Sequence, residues 1–115
     1  MASALARSKY ISRLLENARK RAKKRRLKFE LNAEWVATAK RQKRCPLTGL
    51  PFDWSAVKSR GVPSPLSPSL DRLDPTLGYT PSNTRIVCLF ANVTKNVWTD
   101  AEFRLLVLAT AKHLE

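Results

Sequence analysis

The first 45 residues contain neither glycine nor proline, while the next 23, Pro46 to Pro68, hold five of the seven prolines and two of the three glycines. Proline fixes φ and removes a donor, and glycine opens the left-handed region, so the pair punctuates a chain before any other pattern is read. A helical first segment, an irregular middle and a third segment of different texture are therefore expected. At 115 residues the chain is one domain's worth, since domains usually run ~100–150 residues. With 43% apolar residues it can build a core, and no apolar run approaches the ~20 residues that span a bilayer. A membrane partner is not expected, and the absence of an apolar leader argues against secretion.

In the first segment Tyr10, Ile11, Leu14, Leu15, Ala18 and Ala22 recur at three- and four-residue steps, which predicts a helix with a narrow apolar stripe. A second helix is signalled by Asn32 as N-cap, Glu34 in its first turn, and Trp35, Val36 and Ala39 on one face. It should end in Lys40-Arg41-Gln42-Lys43-Arg44, where positive charge suits the helix C-terminus.

Charge separates the same segments. Residues 1–44 carry 15 Lys and Arg against three Glu, net +12, whereas residues 45–115 carry 7 against 6, net +1. Eight of the ten residues from Arg19 to Lys28 are basic. A basic segment joined to a near-neutral one is the electrostatic footprint of a polyanion binder, because neutralising phosphates releases condensed counterions. Nucleic acid is the expected partner, a solvated basic arm or an acidic membrane surface being the alternatives. The candidate backbone contacts are Arg19, Lys20, Arg21, Lys23, Lys24, Arg25, Arg26 and Lys28 in the first helix and its exit, Lys40, Arg41, Lys43 and Arg44 at the end of the second, and Arg85 and Lys95 further on. On this reading 1–44 is a basic helical arm and 45–115 the core, within one domain.

After Pro68 the texture changes again. Leu70-Asp71-Arg72-Leu73 reads as a short strand, Asp74 to Tyr79 as a turn, and Thr84 to Leu89 as a second strand. A short helix is expected about Ala91 to Asn96, and then a last one opened by the capping box Thr99-Asp100-Ala101-Glu102, with Phe103, Leu106, Val107 and Thr110 inward. The run Pro68-Ser69-Leu70-Asp71-Arg72-Leu73-Asp74-Pro75, Gly78-Tyr79-Thr80-Pro81-Ser82-Asn83 and Cys88-Leu89-Phe90-Ala91-Asn92-Val93-Thr94-Lys95 resembles the ββα-metal nucleases. These are the HNH endonucleases, and the likeness is to the phage endonuclease VII-type branch. With the basic lead-in and Cys45-Pro46-Leu47-Thr48-Gly49-Leu50-Pro51 it covers roughly residues 18–98.

The resemblance implies an α+β fold with a ββα-metal core, N-terminal basic helices and a C-terminal helix. It also implies a metal-dependent DNA endonuclease of phage or mobile-element origin, acting in the host cytoplasm. Asp71 and Asn92 would hold Mg²⁺ or another divalent cation, and Asn83 would hold the loop by bonding backbone groups. The spacing is chemically sensible, because phosphodiester hydrolysis needs a hard cation with oxygen ligands and open positions. Taken singly, Asp71 reads as a surface carboxylate and Asn83 as an Asx-turn residue.

Two departures bear on the activity. Where the family carries the histidine that activates water stands Arg72, which stays protonated and cannot act as a base, though its guanidinium suits a phosphate. The catalytic set is then Asp71, Arg72, Asn83 and Asn92 without a general base, and a DNA-binding protein that kept the fold but lost the chemistry is the alternative. A branched-DNA resolvase is a third reading, and it would require a homodimer. Second, the paired C-x-x-C zinc ligands of endonuclease VII-type proteins are represented by Cys45 with Thr48 and Cys88 with Ala91. No structural zinc is expected, and the two thiols should be buried neighbours.

Overall fold

The computed structural model describes residues 3–55 and 58–115, so Ala56 and Val57 of the Pro46–Pro68 stretch lie outside the described residues. Among the described residues, four helices and a two-stranded antiparallel sheet make an α+β fold. Helix α1, Ala4–Arg25, opens on the Ser3 side chain, which accepts from the Ala6 N–H, and closes at Arg26 in the left-handed region. Helix α2, Ala33–Arg41, is capped by Asn32, whose side chain accepts from the Trp35 N–H. After an irregular stretch with isolated bridges at Arg44 and Pro51 and at Ser59 and Val62 come strands β1, Pro68–Arg72, and β2, Thr84–Cys88. Leu70 stands opposite Ile86 and Asp71 opposite Arg85. Helix α3, Leu89–Lys95, follows β2 directly, and α4, Asp100–Leu114, opens with both bonds of the Thr99–Glu102 capping box. Among the described residues no helix is long and apolar enough to cross a membrane.

Two strands alone leave both edges open, and this sheet closes them with side chains. On the β2 edge the carbonyls of Thr84 and Ile86 accept from Trp35 Nε1 and Gln42 Nε2, each at 3.0 Å. On the β1 edge the carbonyls of Pro68 and Leu70 accept from the Tyr10 hydroxyl and from Asn92 Nδ2, also at 3.0 Å. Helix α2 is thereby fixed along one edge and α1 and α3 along the other. The core between them holds Ile11, Ala18, Ala22, Ala39, Ile86, Val87 and Ala91.

Residues 1–44 do not project as an arm. Ala18 and Ala22, in the basic half of α1, are fully buried in the same core as the strands, because two alanines one turn apart let the helix backbone approach closely. A parallel bridge between Phe29 and Tyr79 then ties the segment after α1 to the inter-strand loop, with Glu30 N–H donating to the Tyr79 carbonyl at 2.8 Å and Tyr79 N–H to the Lys28 carbonyl at 2.9 Å. Gly78 makes this approach possible. A Cβ there would overlap the Lys28 carbonyl oxygen and stand 2.7 Å from the Lys28 nitrogen, both backbone atoms. Gly78→Ala should therefore destabilise the fold by about 1–3 kcal/mol, the usual cost of overpacking, and thermal denaturation followed by circular dichroism checks it. A melting temperature equal to wild type would mean that the two segments do not meet.

The last helix differs from expectation. Phe103 is buried, but Leu106 and Val107 are 56% and 37% exposed. Beyond Phe103 the apolar face of α4, with Phe90 and Trp98, lines an open groove of about 410 Å³.

Candidate nucleic-acid interface

A cleft of about 690 Å³ opens between α1, β1 and the end of α3. One face of α1 supplies Leu14, Asn17, Arg21 and Arg25, spaced three and four residues apart so that they line up along the helix. The strand supplies Ser69, Leu70, Asp71 and Arg72, the loop Pro75 and Tyr79, and α3 with its exit Asn92, Asn96 and Val97. The structure thus places Asp71, Arg72 and Asn92 on one cleft and adds Asn17, Tyr79 and Asn96, which the sequence did not single out.

Tyr79 organises the cationic wall. The Arg72 guanidinium lies 5.0 Å from its ring centroid and that of Arg21 lies 6.0 Å away, while Arg21 Nε donates to the Tyr79 hydroxyl at 3.3 Å. Arg72 Nη1 also donates to the Leu77 carbonyl at 2.9 Å. One of its five donors is used, and the rest of the fork is held rigid. Arg25 is exposed at the end of α1, where its charge suits the helix C-terminus.

Asp71 is held differently. Its side chain is 3% exposed; Oδ2 accepts from Arg85 Nε at 2.9 Å, and Oδ1 accepts from Lys95 Nζ at 3.4 Å. Arg85 continues to Asp100 through a two-bond fork of 2.9 and 2.7 Å, and Lys95 Nζ stands 3.6 Å from Asp100 Oδ1. Two carboxylates and two cations thus close a neutral ring. The Arg85 bond holds the Asp100 carboxyl below its usual range against the opposing effect of burial. Burial alone would lower the Arg85 guanidinium, but its bonds to Asp100 and Asp71 outweigh that and raise it.

This ring corrects two expected backbone contacts. Lys95 is 2% exposed and Arg85 22%, both committed to carboxylates, so neither is free to meet a phosphate. Arg19 stacks on Phe29 at 4.9 Å, and Lys20 pairs with Glu16 at 3.5 Å, one turn away. Lys23, Lys24, Arg25, Arg26 and Lys28 are exposed around the exit of α1. Lys40, Arg41 and Lys43 gather elsewhere, with Arg7 of α1 around a second depression, while Arg44 Nη1 donates to the Gly49 carbonyl at 2.9 Å. Arg7 was invisible in the sequence as a site residue, being one isolated cation that only the approach of α1 and α2 brings to the others.

The two asparagines have separate tasks. Asn83 is 7% exposed and turned into the loop, where Oδ1 accepts from the Asp74 N–H at 2.9 Å and Nδ2 donates to the carbonyls of Asp74 and Gly78 at 3.1 and 2.9 Å. It shapes the cleft without lining it. Asn92 donates to Ser69 Oγ at 2.7 Å as well as to the Leu70 carbonyl, leaving Oδ1 for a cleft ligand.

The fit to a resident divalent cation is poor. Both oxygens of Asp71 already carry ion pairs, which leaves Asn92 Oδ1 as a lone neutral oxygen, and a metal beside Asp71 would meet two cations before any water. Among the described residues no three His, Cys, Asp or Glu side chains converge as a metal site. No family model, curated protein or solved structure matches this chain. What the site can do therefore rests on its own geometry.

The cysteines lie together. Cys45 and Cys88 are each 1% exposed and free, and Cys45 Sγ accepts from the Cys88 N–H at 3.3 Å. The Thr48 hydroxyl lies 3.9 Å from Cys88 Sγ. Burial would raise the Cys45 thiol, but the hydrogen bonds from the Cys88, Thr48 and Leu47 N–H groups and the Thr48 side chain bring it below its ordinary value, while burial pushes Cys88 up.

Proposed function

We propose that this chain binds DNA by seating the phosphodiester backbone in the cleft between α1 and β1. The observation that carries the proposal is the convergence of Arg21, Arg25 and Arg72 with Asn17, Asn92 and Asn96 on one concave surface whose only carboxylate among the described residues is already neutralised. Arginine forks, amides and a tyrosine hydroxyl are the groups that meet phosphate and sugar oxygens. Lys23, Lys24, Arg26 and Lys28, exposed at the exit of α1, extend the positive surface beyond the cleft.

Deleting the first helix would not test this, because α1 is part of the core. Single substitutions do. Arg25→Ala and Arg72→Ala should each weaken binding to duplexes of unrelated sequence roughly tenfold, as the loss of a charged hydrogen bond implies. Each should also flatten the plot of log affinity against log salt by about 0.9 for every phosphate that the variant leaves unneutralised. Fluorescence anisotropy across a salt series reads both, and slopes equal to wild type would place the DNA elsewhere.

A second reading, the metal-dependent HNH-type endonuclease, is favoured by the presence of Asp71, Arg72 and Asn92 on the same wall. The ion pairs on Asp71 weigh against it. So does Asp74, the carboxylate two residues beyond Arg72 that would have to take a proton from water in place of the missing histidine, because the Thr76 hydroxyl and N–H on its Oδ1 hold it below the usual carboxylate range and make it a weaker base. Plasmid nicking that requires Mg²⁺ or Mn²⁺ and stops in EDTA would establish it. The homodimer that a resolvase requires has one observation on its side, the uncovered apolar face of α4.

A further inference from the structure

We infer that the ammonium of Lys95 is the built-in cation of this site, standing between Asp71 and Asp100 in place of a divalent metal, so that the cleft takes a phosphodiester without one. This rests on the reading of the cleft as a backbone-binding surface, and it concerns how that surface is charged.

Lysine is almost never fully buried unless paired, and here its 2% exposed side chain ends 3.4 Å from one carboxylate and 3.6 Å from another. It sits at the last position of α3, one turn beyond Asn92, where the helix carbonyls also favour positive charge. Arg85 bridges the same two carboxylates from β2. Two negative groups are thus balanced by two positive ones at short range. A dication entering the ring would add charge that no protein group offsets, whereas removing Lys95 would leave two carboxylates converging on a vacated cation position with only Arg85 between them. The arrangement has a functional consequence. Because Asp71 is neutralised from within, it does not repel an incoming phosphate, and the cationic wall of Arg21, Arg25 and Arg72 acts at full strength in the absence of metal.

The test is a metal titration of the whole chain, read by thermal denaturation and calorimetry. Wild type should show neither a shift in melting temperature nor binding heat with Mg²⁺ or Mn²⁺, compared with NaCl at matched ionic strength. Its affinity for DNA should be the same in EDTA. Lys95→Ala should acquire a metal response, with Mn²⁺ raising its melting temperature by several degrees and EDTA reversing the gain. If that variant is unfolded without metal, recovery of its helical signal on adding Mn²⁺ is the same result. Stoichiometric Mn²⁺ binding by wild type that disappears in Asp71→Asn would overturn the inference, as would a Lys95→Ala protein indifferent to metal. Wild-type chain that ignores metal and also fails to bind DNA would instead defeat the cleft reading and leave the assignment of Lys95 standing.

Discussion

Asp71→Ala should lower the stability of the fold by about 3–5 kcal/mol, because it strips the nearest partner from a buried ammonium and from one side of a half-buried guanidinium. Lys95, 2% exposed, would keep only Asp100 at 3.6 Å. For a chain of this size the loss corresponds to a fall in melting temperature of roughly 10–25 °C. Replacing both partners, as in Asp71→Leu with Lys95→Met, should recover much of it, since an apolar pair leaves no charge stranded and Arg85 keeps its fork to Asp100. A thermal double-mutant cycle measures the coupling. A single variant that melts like wild type would mean that Asp71 is a solvated carboxylate. The same prediction changes how loss of function at Asp71 must be read: an Asp71→Ala protein that fails to engage or cleave DNA has first to be shown folded.

The second large effect is expected at Asn83. One side chain satisfies three backbone groups of the loop between the strands, and each bond contributes about 1 kcal/mol, with a further penalty for any group left buried and unpaired. Asn83→Ala should cost about 2–4 kcal/mol, and urea denaturation measures it. Asn83→Asp should not rescue it, since a carboxylate accepts from Asp74 but cannot donate to the Asp74 and Gly78 carbonyls. Amide hydrogen exchange should also rise from Asp74 to Tyr79, and because Tyr79 positions Arg21 and Arg72, DNA affinity should fall with it. An Asn83→Ala chain with wild-type exchange in the loop would contradict the role given to this residue.

What the sequence disclosed follows the range of the interactions involved. The Asn32 cap, the Thr99–Glu102 capping box and the turn at Asp74 to Tyr79 each depend on residues within a few positions of one another, so their residue types suffice. The strand–strand–helix order follows from the same local punctuation, and it brought Asp71, Arg72 and Asn92 to one wall. The ion pairs are of another kind. Asp71 meets Arg85 across 14 residues and Lys95 across 24, and nothing in the composition of either segment distinguishes a lysine facing phosphate from one buried against a carboxylate. The docking of α1 was equally hidden, because it depends on Ala18 and Ala22, whose small side chains register weakly as an apolar stripe yet allow an approach that a larger residue would prevent. Tyr79 read as a turn residue, and only that docking turns it toward the arginines. Helix α4 shows the converse. Its sequence is apolar enough to predict an inward face, but a face is buried only where something covers it, and beyond Phe103 nothing among the described residues does.

A chemical-shift titration with a short DNA duplex tests the central claim most directly. In a ¹⁵N-labelled chain the backbone and side-chain signals of Asn17, Arg21, Arg25, Arg72, Tyr79, Asn92 and Asn96 should move together, saturably and without added metal, while those along α4 stay in place. Shifts confined to the α4 groove, or to the Arg7, Lys40, Arg41 and Lys43 cluster with the cleft silent, would contradict the account.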